Sequence, residues 1–299
     1  MTVALPVIVN ASGGTAASLG DKLAETIEAA FAKAGQPIAL ELVAGDKLAA
    51  AVERHAGKRV VAVGGGDGTL GSAAGVLAGT RTALAILPLG TRNHLAKELG
   101  IPEDLAEAAA VAAKGRHRQI DIGSAGDRVF VNNASLGIYT RLVRERDQRK
   151  GPKWFKTIPA ALATMRHWRR QHFDLTIDSQ PRPLKTPLLF IGNNAYSLEA
   201  GRVGERHSLS DGALSLYAVS ARTPLGLAAF AARALIGRAD AAADFEELTD
   251  AKSVVVNGSG RIDVGLDGEV LKLALPITFR ILPGALSVVV PERRQKSRT

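Results

Sequence analysis

Val60-Val61-Ala62-Val63-Gly64-Gly65-Gly66-Asp67-Gly68-Thr69-Leu70 is the stretch whose reading decides the fold. Its first four residues are an unbroken apolar run, which suits a strand buried on both faces of a parallel sheet. The glycines that follow mark a tight strand-to-helix turn, and Leu70 to Leu77 reads as the helix behind it. A turn of this composition suits phosphate. Backbone N–H groups can approach an anion closely only where no Cβ intervenes, and a helix N-terminus adds donors and a favourable dipole. A lone carboxylate there would repel phosphate unless a cation lay between them, so Asp67 is expected beside a nucleotide-bound Mg²⁺. The bland alternative is a capped turn. The stretch is neither a Walker A loop, since no Lys-Ser/Thr pair follows, nor a G-x-G-x-x-G fingerprint.

Outward from this turn the pattern alternates. Towards the N-terminus, Val7-Ile8-Val9 runs into Asn10 and a small-residue turn. Leu19, Leu23, Ile27 and Phe31 then recur at helical spacing until Gly35 and Pro37. Ile38–Val43 reads as a strand and Leu48–His55 as a helix. Towards the C-terminus, Ala83–Leu87 is another strand, followed by Pro88-Leu89-Gly90-Thr91-Arg92-Asn93-His94 and a helix. Asp104–Lys114 is a further helix. This βαβ alternation predicts an open parallel α/β sheet over residues 1–121, with both loops at the carboxyl ends of strands, where such sheets bind ligands. Thr91 and Asn93 can hydrogen-bond phosphate or ribose, and Arg92 can balance its charge.

After Ile120 strand-like runs dominate, among them Leu188–Ile191, Leu214–Val219, Val270–Leu273, Ile277–Ile281 and Leu286–Val290. The expectation is a β-rich sandwich domain over 122–282, with 283–299 packing back onto the first domain. Two helices are expected within it, one in Thr140–Arg170 and one starting at Thr223-Pro224.

The chain has 299 residues, enough for two cores, and no cysteine, which excludes disulfides and thiolate metal sites. No apolar window is long enough to span a membrane, and the first apolar stretch lacks the flanks of a signal peptide. A cytoplasmic protein is therefore expected. The net charge of +9 favours anionic partners. Ten Lys/Arg against two acids fall between Arg141 and Gln171, interleaved with Trp154, Phe155 and Trp168, and the tail adds Arg293, Arg294, Lys296 and Arg298. Nucleic acid is not expected as a partner, because aromatics are few and no nucleic-acid motif is present.

Taken with Asn193-Asn194, Leu209-Ser210-Asp211-Gly212-Ala213-Leu214 and Leu266-Asp267-Gly268-Glu269, the two loops resemble the diacylglycerol kinase catalytic-domain family. That family includes bacterial lipid kinases and the sphingosine and ceramide kinases. The resemblance implies an NAD-kinase/phosphofructokinase-like first domain, ATP and Mg²⁺ as cofactors, and transfer of the γ-phosphoryl group to a lipid hydroxyl. It implies nucleotide contacts from Asn10, from the loop Gly65, Gly66, Asp67, Gly68, Thr69, Leu70 and Gly71, and from Thr91 and Asn93. A structural Mg²⁺ would take the Asp211 carboxylate with carbonyls near Ser208 and Ala213. The hydroxyl proton would go to Glu269, with Asp267 beside it, and Asp67 would serve the metal-linked phosphates. A lipid substrate and an anionic membrane surface at the inner face are the expected partners; a homodimer stays open. The chain departs from the family at His94, where relatives usually carry Asp, at Gly71, and at the Glu41 or Ala44 position. Two alternatives also stay open: an NAD-kinase-like enzyme, and a catalytically decayed nucleotide- or lipid-binding protein.

Overall fold

The computed structural model describes residues 3–138, 140, 170–196, 206, 208–221, 223, 225–226, 229, 233 and 244–292. The basic segment with Trp154, Phe155 and Trp168, the body of the helix expected from Thr223-Pro224, and the tail from Arg293 lie outside them. The chain forms two compact units, one of residues 1–120 with 284–299 and one of residues 121–283.

The first unit runs β1 (Leu5–Asn10), α1 (Gly14–Leu19), α2 (Leu23–Ala34), β2 (Ile38–Val43), α3 (Leu48–Glu53), β3 (Val60–Gly65), α4 (Asp67–Leu77), β4 (Ala83–Pro88), α5 (His94–Glu98) and α6 (Leu105–Lys114), and then enters β5 (Arg116–Ala125). The strands β2, β1, β3 and β4 pair in that order, all parallel. Every residue of β4 is buried, as are five of the six residues of β1 and of β3, so both faces need cover. That cover comes from two helix pairs, α2 with α6 and α3 with α4. The α2 stripe of Leu23, Ile27, Ala30, Phe31 and Ala34 is what its spacing predicts, and α2 ends at Gly35 with φ 72°. The long helix read through Leu19 is instead two helices. Gly20, at φ 52°, ends α1, and a short 3₁₀ turn precedes α2. Asp104 caps α6 by accepting the Glu107 amide at 2.9 Å.

The second unit holds β6 (Arg128–Phe130), β7 (Asn133–Gly137), β8 (Gln171–Phe173), β9 (Leu175–Ile177), β10 (Gln180–Pro181), β11 (Leu184–Thr186), β12 (Leu188–Asn193), β13 (Leu214–Val219), β14 (Phe245–Ala251), β15 (Ser253–Val256), β16 (Arg261–Leu266), β17 (Glu269–Ala274) and the start of β18 (Ile277–Val290). One antiparallel sheet has the order β14-β13-β12-β7-β16-β17. Facing it in the core, β9, β15 and the first residues of β18 pair antiparallel. Side chains of both layers, including Leu189, Leu216, Val264, Val254, Phe279 and Phe130, share one buried cluster, which makes this unit a β-sandwich. Burying a side chain the size of Phe279 stabilises by roughly 1.5–3 kcal/mol relative to leaving it in water. The two runs read at the C-terminus are one strand, β18, and Gly284 within it sits at φ 61°. Its last residues return to the first unit, where Val288 pairs in parallel with Leu84.

Candidate active site

In the first unit three loops meet at the carboxyl ends of β1, β3 and β4, and their backbones touch. A Cβ on Gly90 would stand 2.3 Å from the Gly66 Cα, and one on Gly14 would stand 2.5 Å from the Leu89 carbonyl oxygen. Thr15 donates its amide to that same carbonyl at 2.9 Å. Gly64 is pressed between Val9 and Leu89, and Gly65 against Thr69. Gly14, Gly64, Gly65 and Gly90 are therefore explained by protein neighbours. Gly68 is not: a Cβ there would meet nothing within 4 Å. It sits in the first turn of α4, where the amides of Asp67, Gly68 and Thr69 have no intrahelical acceptor.

Side chains tie the loops together. Asn10 donates from Nδ2 to the Thr69 Oγ1 at 3.1 Å and accepts the Ser12 amide at 3.0 Å. Asp67 accepts the Leu95 amide at 3.3 Å through Oδ1, so it caps α5 rather than its own helix. Asn93, buried and at φ 51°, accepts the Gly90 amide at 2.9 Å and donates to the Pro88 and Gly90 carbonyls. Its amide group is thus engaged inside the loop, which it holds in shape. Leu70 belongs to the core, fully buried, and its N–H goes to the Gly66 carbonyl, so it has no donor to offer a nucleotide. Thr91, Arg92 and His94 are exposed at the loop tip. Glu41, on β2, forms an ion pair with Arg54.

The second unit gathers the remaining candidates. Asp267 and Gly268, at φ 48° and 90°, form the two-residue turn between β16 and β17. The Asp267 carboxylate accepts three backbone amides: Val131 at 2.7 Å, Asn132 at 2.7 Å and Asn133 at 3.1 Å. Burial lifts its pKa above the ordinary carboxylate value, opposed by those three amides and by the Arg206 guanidinium. Glu269, one residue past the turn, is exposed.

Arg206 grips the same segment from its carbonyl side. It donates to the Val131 carbonyl at 2.7 Å, to the Asn193 carbonyl at 3.2 Å and to the Asn132 Oδ1 at 3.1 Å, with its guanidinium over the Tyr196 ring. Residues 131–133 are therefore held between an anion that takes their three amides and a cation that takes the Val131 carbonyl and the Asn132 side-chain oxygen. Neither Arg206 nor Tyr196 lies in a recognisable motif. No sequence signal marked them, because the segment at 131–132 that both of them hold lies more than sixty residues away.

The Leu209–Leu214 turn is pinned by long-range bonds too. Asp121 accepts the Gly212 amide at 2.7 Å, Asn194 accepts the Asp211 amide at 3.0 Å, and the Asn194 amide donates to the Ala213 carbonyl at 2.9 Å. Lys252 places its ammonium on the Gly212 carbonyl. The Asp211 carboxylate is exposed. One carboxylate and backbone carbonyls are the hard oxygen donors that Mg²⁺ accepts alongside water, so the donor set from Ser208, Asp211 and Ala213 fits that ion. No cluster of three or more His or acidic residues suited to a metal occurs among the described residues.

Comparison with known proteins agrees with this architecture. The diacylglycerol kinase catalytic domain matches residues 4–125, and the YegS C-terminal NAD kinase beta sandwich-like domain matches residues 136–290. The chain is 29% identical over 249 residues to the "probable lipid kinase YegS-like" protein of Chromohalobacter salexigens, covering 80% of this chain and 78% of that one. With its counterpart of the same name in Klebsiella pneumoniae it shares 45% identity over 92 residues, 30% of this chain and 31% of that one. A solved diacylglycerol kinase from Bacillus anthracis str. Sterne superposes with a TM-score of 0.66 at 22% identity, covering 96% of both chains. A second structure from that organism gives a TM-score of 0.68 at 26% identity, again over 96% of both. With a catalytic-domain match over the α/β unit and a sandwich match over the other, the chain belongs to the diacylglycerol kinase family of lipid kinases, in the branch that carries the YegS-type C-terminal domain.

Proposed function

We propose that the protein transfers the γ-phosphoryl group of ATP to a lipid hydroxyl, with diacylglycerol or a closely related lipid as acceptor. The observation that carries this reading is Gly68, a glycine at a helix N-terminus with no neighbour among the described residues that requires it. A residue without a side chain, beside unbonded amides, suits an anion that comes from outside. The loop Gly65–Thr69 would cradle the phosphates, Thr91 would reach them from the second loop, and Asn10 would set the position of Thr69. Asp67 would face the phosphates through Mg²⁺, which neutralises their charge when bound.

Glu269 is the better proton acceptor of the two acids in the β16–β17 turn. Asp267 already satisfies three amides, whereas Glu269 is exposed and can meet a hydroxyl. Asp267 then orders residues 131–133, and Asp211 with the Ser208 and Ala213 carbonyls would hold a second Mg²⁺ that stiffens the Leu209–Leu214 turn. No helix among the described residues is long and apolar enough to cross a membrane. The enzyme would reach its acceptor by adsorbing to an anionic bilayer surface from the cytoplasmic side, an attraction that salt weakens.

The test is a labelled-ATP assay with Mg²⁺ against total lipid extract, and against extract supplemented with diacylglycerol, with products identified by mass spectrometry. A phosphorylated lipid is the expected product. In a parallel reaction with NAD as the acceptor, label in NAD with none in lipid would favour the NAD-kinase reading instead, and no transfer to either would favour a decayed binding protein.

A further inference from the structure

The second unit contains a cavity of 450 Å³ whose rim carries Arg170, His172 and Arg261. Its floor is apolar, formed by Phe173, Val256, Ile262 and Leu275. Phe173 and Val256 belong to the sandwich core, and Ile262 and Leu275 are partly buried against it. No acidic residue is among the described residues that line it, and no described carboxylate pairs with either arginine. Arg170 donates through Nη2 to the Lys185 carbonyl, while its Nε is buried with no acceptor.

The cavity lies well away from the proton-accepting turn. Arg261 pairs with Ala274 at one end of the β16–β17 hairpin, and Leu266 pairs with Glu269 at the other. Five residue steps at about 3.3 Å separate them, a distance of about 16 Å.

We infer that this cavity binds a phosphate-headed lipid, with the head on Arg170 and Arg261 and the start of an acyl chain on the apolar floor. Guanidinium groups match phosphate bidentately, which a carboxylate-free rim allows. The volume falls within the range of about 300–1,000 Å³ usual for small-ligand sites. An anionic head would be repelled at the Glu269 end, so this site is distinct from that of a neutral acceptor. Its occupancy makes the protein responsive to the anionic lipid around it, with no need for ATP or turnover.

The test is calorimetric titration, without ATP, of the full chain with dihexanoyl-phosphatidylglycerol below its micellar concentration, and with sn-glycerol 3-phosphate as the head alone. The phospholipid is expected to bind about tenfold tighter than the head, or better, a difference of about 1.4 kcal/mol. Arg261→Glu, on an exposed strand position, should weaken phospholipid binding about tenfold or more, and Arg170→Gln should act in the same direction. Glu269→Gln should leave it unchanged, which separates this site from the acceptor site and lets the result stand even if no kinase activity is found. Equal affinity for the head alone would overturn the proposal, as would phospholipid binding that ignores Arg261→Glu.

Discussion

The two halves of the candidate machinery are built in opposite ways. In the first unit the site is made of backbone: glycines packed Cα against Cα, with loops that each follow a strand and precede a helix. In the second unit it is made of charged side chains that reach across the fold. Asp267 takes amides from residues about 135 positions earlier, and Arg206 donates to the Val131 carbonyl 75 positions earlier. A backbone site leaves a dense local signature, because every close approach demands its own glycine. A side-chain site leaves single acids and bases that look incidental until the fold brings their partners to them. The same contrast separates the two acids of one turn: Asp267 is an internal structural anion, and Glu269 is available to solvent.

That contrast can be broken most sharply at residues 267 and 269. Glu269→Gln should lower kcat by about 10²–10⁴-fold, the usual worth of a general base, with the ATP KM and the melting temperature unchanged. Asp267→Asn should act on stability first. Hydrogen bonds to a charged acceptor are worth about 1.5–3 kcal/mol each, so we expect a loss of about 2–4 kcal/mol, read as a lower urea midpoint. If Asp267→Asn left stability intact and removed only kcat, the two roles would have to be exchanged. Next in size, Asp67→Ala should cost roughly 10²–10³-fold in kcat, as loss of a single charge-organising group does, with only a small fall in melting temperature.

The glycines sharpen the comparison inside the first unit. Gly90→Ala forces a Cβ into the Gly66 backbone, so it should cost about 1–3 kcal/mol of stability and raise the ATP KM together with that loss. Gly68→Ala should do the reverse to stability. Its backbone is helical and its surroundings are open, so alanine should stabilise by roughly 0.5–1 kcal/mol while ATP binding weakens. A protein that melts higher yet binds ATP less well would mark Gly68 as a residue kept for a ligand. A Gly68→Ala variant with unchanged ATP affinity would withdraw the observation on which the nucleotide reading rests.

By itself the sequence determined the parallel α/β unit, its two loops at the carboxyl ends of strands and the sandwich character of the rest. Those features depend on contacts local in the chain: an apolar run of four, a glycine-rich turn, a helical stripe such as Leu23, Ile27 and Phe31. It also pointed to Asp267 and Glu269, though only as a pair. The tertiary structure decided what each of them does, because burial and three amide donors come from a segment far away in the chain. The tertiary structure likewise placed Asn93 inside its loop and Leu70 in the core, where the family resemblance had implied that both are nucleotide contacts. Arg206 and Asp121 gained their roles in the same way. A hydrogen bond between positions seventy residues apart has no period and no spacing to read, and only the folded chain brings its two ends together.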